Sequence, residues 1–355
     1  MIIRRRLGLF WVLFFGLFVI LVVLTKSQVS AADNVGSTLT TTPVSADLVS
    51  APGTTISTKL QVLNDSPIPL TVNIRVEEFK ASGTGGQALL YTPPATDPSL
   101  SWVHLSQTSL QAEPGVWNSV TMTIVLPKQA AQGYYYAVIF SPSVTVQGSK
   151  NTNEIKGANA VFVLVDSNNS KDITQLGVDG FSVGKKSYNY LPATFSINVA
   201  NTGNIFTVPS GEVYVSRTLN GPAIDSLNIN SGGGNILPQT NRIFNLAWTD
   251  GFPVYKPKTI NGQEVSGKNG KPIEQLSWNL SNITKLRFGR YYAKFVLVYN
   301  NGTRDIPITG EVSFWVIPWL FILVFVIVFL LIAFGIWSIV RSIVRRIRKF
   351  SKKRR

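Results

Sequence analysis

The chain has 355 residues, no cysteine, one histidine and a formal charge of +15. Disulfide staples, thiol nucleophiles and thiolate metal sites are therefore excluded, and the lone His104 leaves no material for a Ser-His relay or a multi-histidine zinc site. The charge does not mark a nucleic-acid surface: four basic residues lie at or before Lys26 and nine in the last fifteen positions, so the stretch between carries 20 basic against 18 acidic residues.

At the start, Arg4, Arg5 and Arg6 precede an unbroken apolar run from Leu7 to Leu24, followed by Val29-Ser30-Ala31-Ala32. A basic n-region, an apolar h-region and a small-residue cleavage pattern predict a signal peptide over 1–32. The run is also long enough for an uncleaved anchor, and that alternative stays open.

From 33 to 313 the dominant pattern has a period of two. Leu70, Val72, Ile74 and Val76 alternate with polar neighbours, as do Ile56, Leu60 and Val62, then Val120, Met122, Ile124 and Leu126, then Ala193, Phe195, Ile197 and Val199. This pattern predicts antiparallel strands with one face in a core and one in water. Turn residues such as Asn64-Asp65-Ser66-Pro67 and Asn201-Thr202-Gly203-Asn204 punctuate them. The pattern also repeats. Strands around an Asn turn recur in both halves, and Gly133-Tyr134-Tyr135-Tyr136-Ala137 is echoed by Gly289-Arg290-Tyr291-Tyr292-Ala293. The expected fold is an all-β ectodomain of two tandem Ig-like β-sandwiches, 33–168 and 169–313, divided in the polar stretch Asp166–Asp172. The paired tyrosines read as core and sheet-face aromatics. Insertions over 81–100 and 251–281 read either as binding loops or as hairpins covering a sheet end.

Candidate chemistry is sparse. Glu77 and Glu78 are neighbours on a strand and face opposite sides, so they cannot act as a carboxylate pair. Asp47, Asp65 and Asp250 read as turn residues. Asp166, Asn168 and Asp172 offer oxygens at a spacing that matches no dedicated calcium loop. No catalytic, cofactor or metal residue is predicted, and no cofactor.

Phe314 to Val340 contains no charge and is long enough for a bilayer core of about 30 Å. It predicts a transmembrane helix over 314–340 and a basic cytoplasmic tail over 341–355. Trp315 and Trp319 are expected at the outer interface and Trp337 at the inner one. Arg341, Arg345, Arg346, Arg348 and Lys349 fall around Ile343, Val344, Ile347 and Phe350 at helical spacing. They read equally as an amphipathic helix on the anionic inner leaflet or as a stop-transfer tail. The expected topology is single-pass type I in the cell membrane, with the ectodomain extracellular.

Short motifs carry a family likeness. Ala51-Pro52-Gly53-Thr54 leads into an alternating strand and Asn64-Asp65-Ser66; Ala88-Leu89-Leu90-Tyr91 and Asp97-Pro98-Ser99-Leu100 follow, then Val120 to Pro127. With the signal segment, paired sandwiches, single span and basic tail, this layout resembles the WxL-interacting surface proteins of Gram-positive bacteria. Tyr134-Tyr135-Tyr136 stands where that family tends to be Gly-rich. The resemblance implies an Ig-like peptidoglycan-binding domain, a second Ig-like domain and no catalysis. The expected function is therefore a non-enzymatic, membrane-anchored surface protein that binds a cell-wall polymer or a surface protein partner. The alternative is an accessory subunit of a membrane export or pilus-type assembly.

Overall fold

The computed structural model describes residues 39–352, apart from 95, 131, 145–152, 155–156, 261 and 268. The predicted signal peptide lies outside the described residues.

Eleven strands build the first body: β1 (Leu39–Thr42), β2 (Ser45–Val49), β3 (Thr55–Asn64), β4 (Leu70–Ser82), β5 (Gln87–Tyr91), β6 (Val103–Leu105), β7 (Ser109–Ala112), β8 (Trp117–Val125), β9 (Tyr134–Val144), β10 (Asn153–Glu154) and β11 (Asn159–Asp166). One sheet has the order β1-β3-β8-β6; the other runs β2-β11-β9-β4-β5, with β7 also on β4 and β10 on β9. Consecutive β1 and β2 divide between the sheets. β1 pairs antiparallel with β3 and β2 parallel with β11, so one stretch of chain closes that side of the sandwich. The predicted alternation is the core: Leu60, Val62, Val72, Val120, Met122 and Ile124 are all fully buried between the sheets.

The second body follows the same plan. Its strands are β12 (Leu176–Val183), β13 (Ser187–Tyr188), β14 (Ala193–Asn201), β15 (Ser210–Ser216), β16 (Ala223–Asn228), β17 (Thr240–Trp248), β18 (Val254–Pro257), β19 (Thr259–Ile260), β20 (Gln263–Glu264), β21 (Glu274–Ser277), β22 (Gly289–Asn300) and β23 (Asp305–Val316). Sheets β12-β14-β17 and β13-β23-β22-β15-β16 enclose a core richer in rings, with Trp248, Tyr291, Phe195, Phe295 and Phe314 all buried. Again the opening strands split, β12 onto β14 and β13 parallel onto β23. The 251–281 insertion is two ribbons, β18/β21 and β19/β20, followed by a short 3₁₀ turn, Leu280–Lys285.

The repeat is equally visible in single side chains. Asn64 ends β3, is fully buried, donates to the carbonyls of Ile68 (2.7 Å) and Ala112 (2.8 Å), and accepts from the Ser66 N–H. Asn201 ends β14 and does the same with Ile205, Ile236 and Gly203. A turn that folds back into a sandwich buries carbonyls that its own ladder cannot satisfy. An Asn amide meets two of them at once.

One expected boundary shifts. Phe314, Trp315 and Val316 belong to β23, with Phe314 and Val316 about 1% exposed in the second core. The helix, α1, spans Trp319–Lys352 and starts only after Pro318. The uncharged run is thus shared between a core strand and a helix, which hydropathy alone cannot separate. Residues from Leu323 to Val344 are all exposed, so beyond its first turn this apolar helix packs on neither body. By length and composition it is the one described helix able to cross a membrane.

Candidate protein-binding site

The most distinctive surface lies where the bodies meet. Along β4, Thr71, Asn73, Arg75 and Glu77 face outward, but Phe79 and Ala81 continue the same face. With Tyr135, Ala137 and Ile139 of β9 and Phe162 and Leu164 of β11, they form an apolar layer outside the first sandwich, covered by Phe206 and Leu237 of the second body. Phe79 meets Phe162 edge-on at 4.9 Å between centroids, and Tyr135 meets Phe206 at 6.3 Å.

The β4–β5 hairpin tip locks this contact. The Thr84 carbonyl accepts from the Ile243 N–H of β17 (2.8 Å). The Arg242 guanidinium lies so close to Gly86 and Gly234 that a Cβ on either would overlap it, and Gly86 has a φ of +72°. Burial lowers the Arg242 pKa, and its Nη1 donates to the Asn235 carbonyl (2.8 Å). The Asn235 amide in turn reaches the Asp47 carboxylate of the first body (3.3 Å). Asp47 is therefore a strand residue contacting the other body, and its pKa is raised by burial against that bond. The turn reading of Asp47 is corrected: Ser45–Val49 pairs in register with β11. The 81–100 insertion is in this part a structural hairpin.

The hairpin also carries an open strand edge. β5 pairs with β4 on one side only, and among the described residues no backbone bond meets its other side. Leu89 and Leu90 on it are 47% and 37% exposed. A cavity of about 270 Å³ adjoins Gln87 and Ala88 at one end, walled by Phe162 and the glycines 232–234. A second, about 380 Å³, adjoins Tyr91 at the other, walled by Glu78, Asp97, Tyr134 and Gln239. Both take walls from both bodies.

Glu77 and Glu78 do face opposite ways. Glu77 pairs with exposed Arg75 (2.9 Å), whereas Glu78 is buried and accepts from the Tyr91 hydroxyl (2.7 Å) and the Ser99 hydroxyl. Burial first, then Glu78, pushes the Tyr91 phenol up to about 12, so it remains a donor at any ordinary pH. The adjacent Tyr136 phenol is also raised, by burial foremost, and donates to the Ser99 carbonyl (3.2 Å).

The other singled-out residues are structural here. His104 is exposed on the three-residue β6. Asp166 and Asp172 accept from the backbone N–H groups of Asn168 (2.8 Å) and Asn169 (2.5 Å), and among the described residues no acidic or histidine cluster could hold a metal ion. Asp250, read as a turn residue, instead holds Lys285 at 2.6 Å and Arg287. Of the expected membrane-interface residues, Trp315 is on β23, Trp319 opens α1, and Trp337 lies within it under the Arg341 guanidinium (5.0 Å). The α1 backbone continues through Arg345, Arg346, Arg348 and Lys349, whose side chains lie outside the described residues.

No family model matches the chain, and no curated protein does. Among solved structures it is similar to the class 5 fimbriae chaperone CfaA, at 17% identity over 68% of this chain and 100% of that one, with a TM-score of 0.34. It is also similar to the CsuC–CsuE chaperone–tip adhesion subunit pre-assembly complex of Acinetobacter baumannii (11%, 77% and 98%, 0.33) and to the Salmonella enterica SafA pilin–SafB chaperone complex (10%, 78% and 97%, 0.33). The resemblance to WxL-interacting surface proteins is thereby corrected: these three similar structures are of fimbrial or pilus chaperones, and none of the three is a protein of that family. Peptidoglycan binding and a Gram-positive source, which rested on it, fall with it. The short motifs behind that likeness are strand-and-turn patterns that any sandwich of this kind needs.

Proposed function

We propose that the chain is a non-enzymatic, membrane-anchored accessory subunit of a membrane assembly, which holds a protein partner by strand addition along β5. Two Ig-like sandwiches, the first within 39–166 and the second within 176–316, form the displayed part. One span leaves the ectodomain outside and the basic tail on the cytoplasmic side, after removal of 1–32. The reading is carried by the open β5 edge with exposed Leu89 and Leu90. An edge of this kind offers unpaired N–H and C=O groups to another chain, with flanking pockets to select its side chains. Natural proteins usually blunt such an edge with charge or proline, and Gln87–Tyr91 contains neither.

The test is a photo-crosslinking amino acid at Leu90 in the full-length protein expressed in its native cells, with Thr303 as the control position. A discrete adduct at 90 and none at 303 is expected. Leu89→Lys with a crosslinker at 90 should abolish the adduct while leaving the circular dichroism unchanged. An adduct that survives the lysine, or one equally strong at 303, would contradict strand addition at this edge.

A further inference from the structure

The end of the second body that meets α1 carries a cluster of large apolar side chains that its own core does not use. Trp278, Leu280, Ile283, Leu286 and Phe288 are 48%, 70%, 58%, 38% and 54% exposed. Leu280, Ile283 and Leu286 recur every third residue through and just past the 3₁₀ segment, which kinks at Asn282. Asp250 ties the turn to the end of β17 through Lys285 and Arg287, and Phe252 packs on Trp278 at 5.9 Å. The apolar side is therefore held outward by a fixed base.

The height of this cluster is set by contacts to the helix. Trp278 packs against Phe321 at 5.9 Å, and Tyr190 meets the same ring at 6.3 Å. Phe321 lies in the first turn of α1. The apolar part of the helix, Trp319–Val344, has 26 residues, or about 39 Å at 1.5 Å per residue, against a hydrocarbon core of about 30 Å. Its first turn therefore stands at the outer interface, and whatever packs on Phe321 stands there too. Indole and phenol rings favour that zone. Lys185, Lys186 and Arg290 are at the same end, with the Lys186 carbonyl bonded to the Trp315 N–H (2.9 Å) and Arg290 opposite Trp315 in the ladder. None of the three is in an ion pair among the described residues.

We infer that this end of the second body is a lipid-docking surface: the Leu280–Leu286 segment, with Trp278 and Phe288, lies in the outer-leaflet interface of the same bilayer that α1 crosses. The cations at its margin face lipid phosphates. Docking holds the ectodomain at a fixed attitude on its helix and presents the β5 edge at a constant height. The inference rests on the membrane-anchored reading proposed above.

Because the chain has no native cysteine, single-cysteine variants report positions one at a time. Ile283→Cys, Thr303→Cys and Phe329→Cys of the full-length protein, each carrying an environment-sensitive fluorophore, are reconstituted in vesicles of phosphatidylcholine and phosphatidylglycerol. The vesicles contain lipids with a nitroxide either at the headgroup or deep in the acyl chain. Ile283 and Thr303 are exposed, so neither substitution removes a core contact. The label at 283 is expected to be quenched at least twofold by the headgroup nitroxide, 329 by the deep nitroxide, and 303 by neither. Deep quenching at 329 with 283 indistinguishable from 303 overturns the docking surface alone. A label at 283 that is blue-shifted yet unquenched also overturns it, since a second copy or another protein then covers the patch. No quenching at 329 removes the anchored reading and this inference together.

Discussion

The buried asparagines show how much one side chain can hold. Asn64 satisfies two carbonyls and the Ser66 N–H and hydroxyl inside a buried turn. Asn64→Ala removes this partner from the Ala112 carbonyl and the Ser66 N–H, while the Ser66 hydroxyl still reaches the Ile68 carbonyl (2.9 Å), and each orphaned group costs roughly 1–3 kcal/mol. A loss of about 3 kcal/mol is expected, read as a lower urea midpoint for the full-length protein; a loss under about 0.5 kcal/mol would show that water replaces the amide. Asp250 works through charge. Its burial would raise its pKa, but hydrogen bonds and charge from Lys285 and Arg287 more than offset this, so the folded pKa lies below the usual carboxylate value. The stabilisation is therefore complete above about pH 4, the ordinary carboxylate range, and is lost as pH falls through the depressed folded value. Asp250→Asn should cost about 1 kcal/mol at pH 7 and less at pH 2. An equal cost at both pH values would remove the ion pair from the account.

At the scale of elements, alternation identified strands wherever one face met water. Val120, Met122 and Ile124 in β8, and Phe195, Ile197 and Val199 in β14, are buried as the period of two requires. It was silent where both faces are covered. Ala160 to Val165 in β11 is a continuous apolar run because one face lines the first core and the other packs under the second body; such runs mark double burial. The switch at Phe79 and Ala81 from a polar to an apolar outer face was the corresponding signal in β4. The β5 edge was not legible, because pairing partners depend on topology and not on local pattern. Phe314 shows the same limit at the helix end. Its ring packs on Trp248 (6.0 Å) and Tyr291 (5.9 Å) in the second core, so Phe314→Ala should cost roughly 3–5 kcal/mol and lower the midpoint of ectodomain unfolding. If the substitution left that midpoint unchanged, the residue would belong to the lipid-facing helix that hydropathy suggested.

The whole molecule is an ordered column. β14 runs from Ala193, next to the helix end, to Asn201, next to the first body, and its nine residues span about 30 Å. Body one sits on the far end through Phe206, Leu237 and the Arg242–Gly86 contact; α1 leaves from the near end with the Ile317 N–H bonded to the Tyr188 carbonyl (2.7 Å). Helix, second body and first body with its β5 edge thus follow one another in space, the order that the proposed display function requires. The strand periods conveyed the mostly β class, and the second uncharged run conveyed an apolar C-terminal helix. The proposed partner class rests on the open edge and the joint, which only the folded arrangement assembles.

The display of that column outside the cell is the central claim. It is tested most directly by labelling intact cells with a membrane-impermeant maleimide, using Thr303→Cys and Ser351→Cys in the cysteine-free chain. The account predicts labelling at 303 before lysis and at 351 only after it. Labelling at 351 in intact cells, or none at 303, would contradict it.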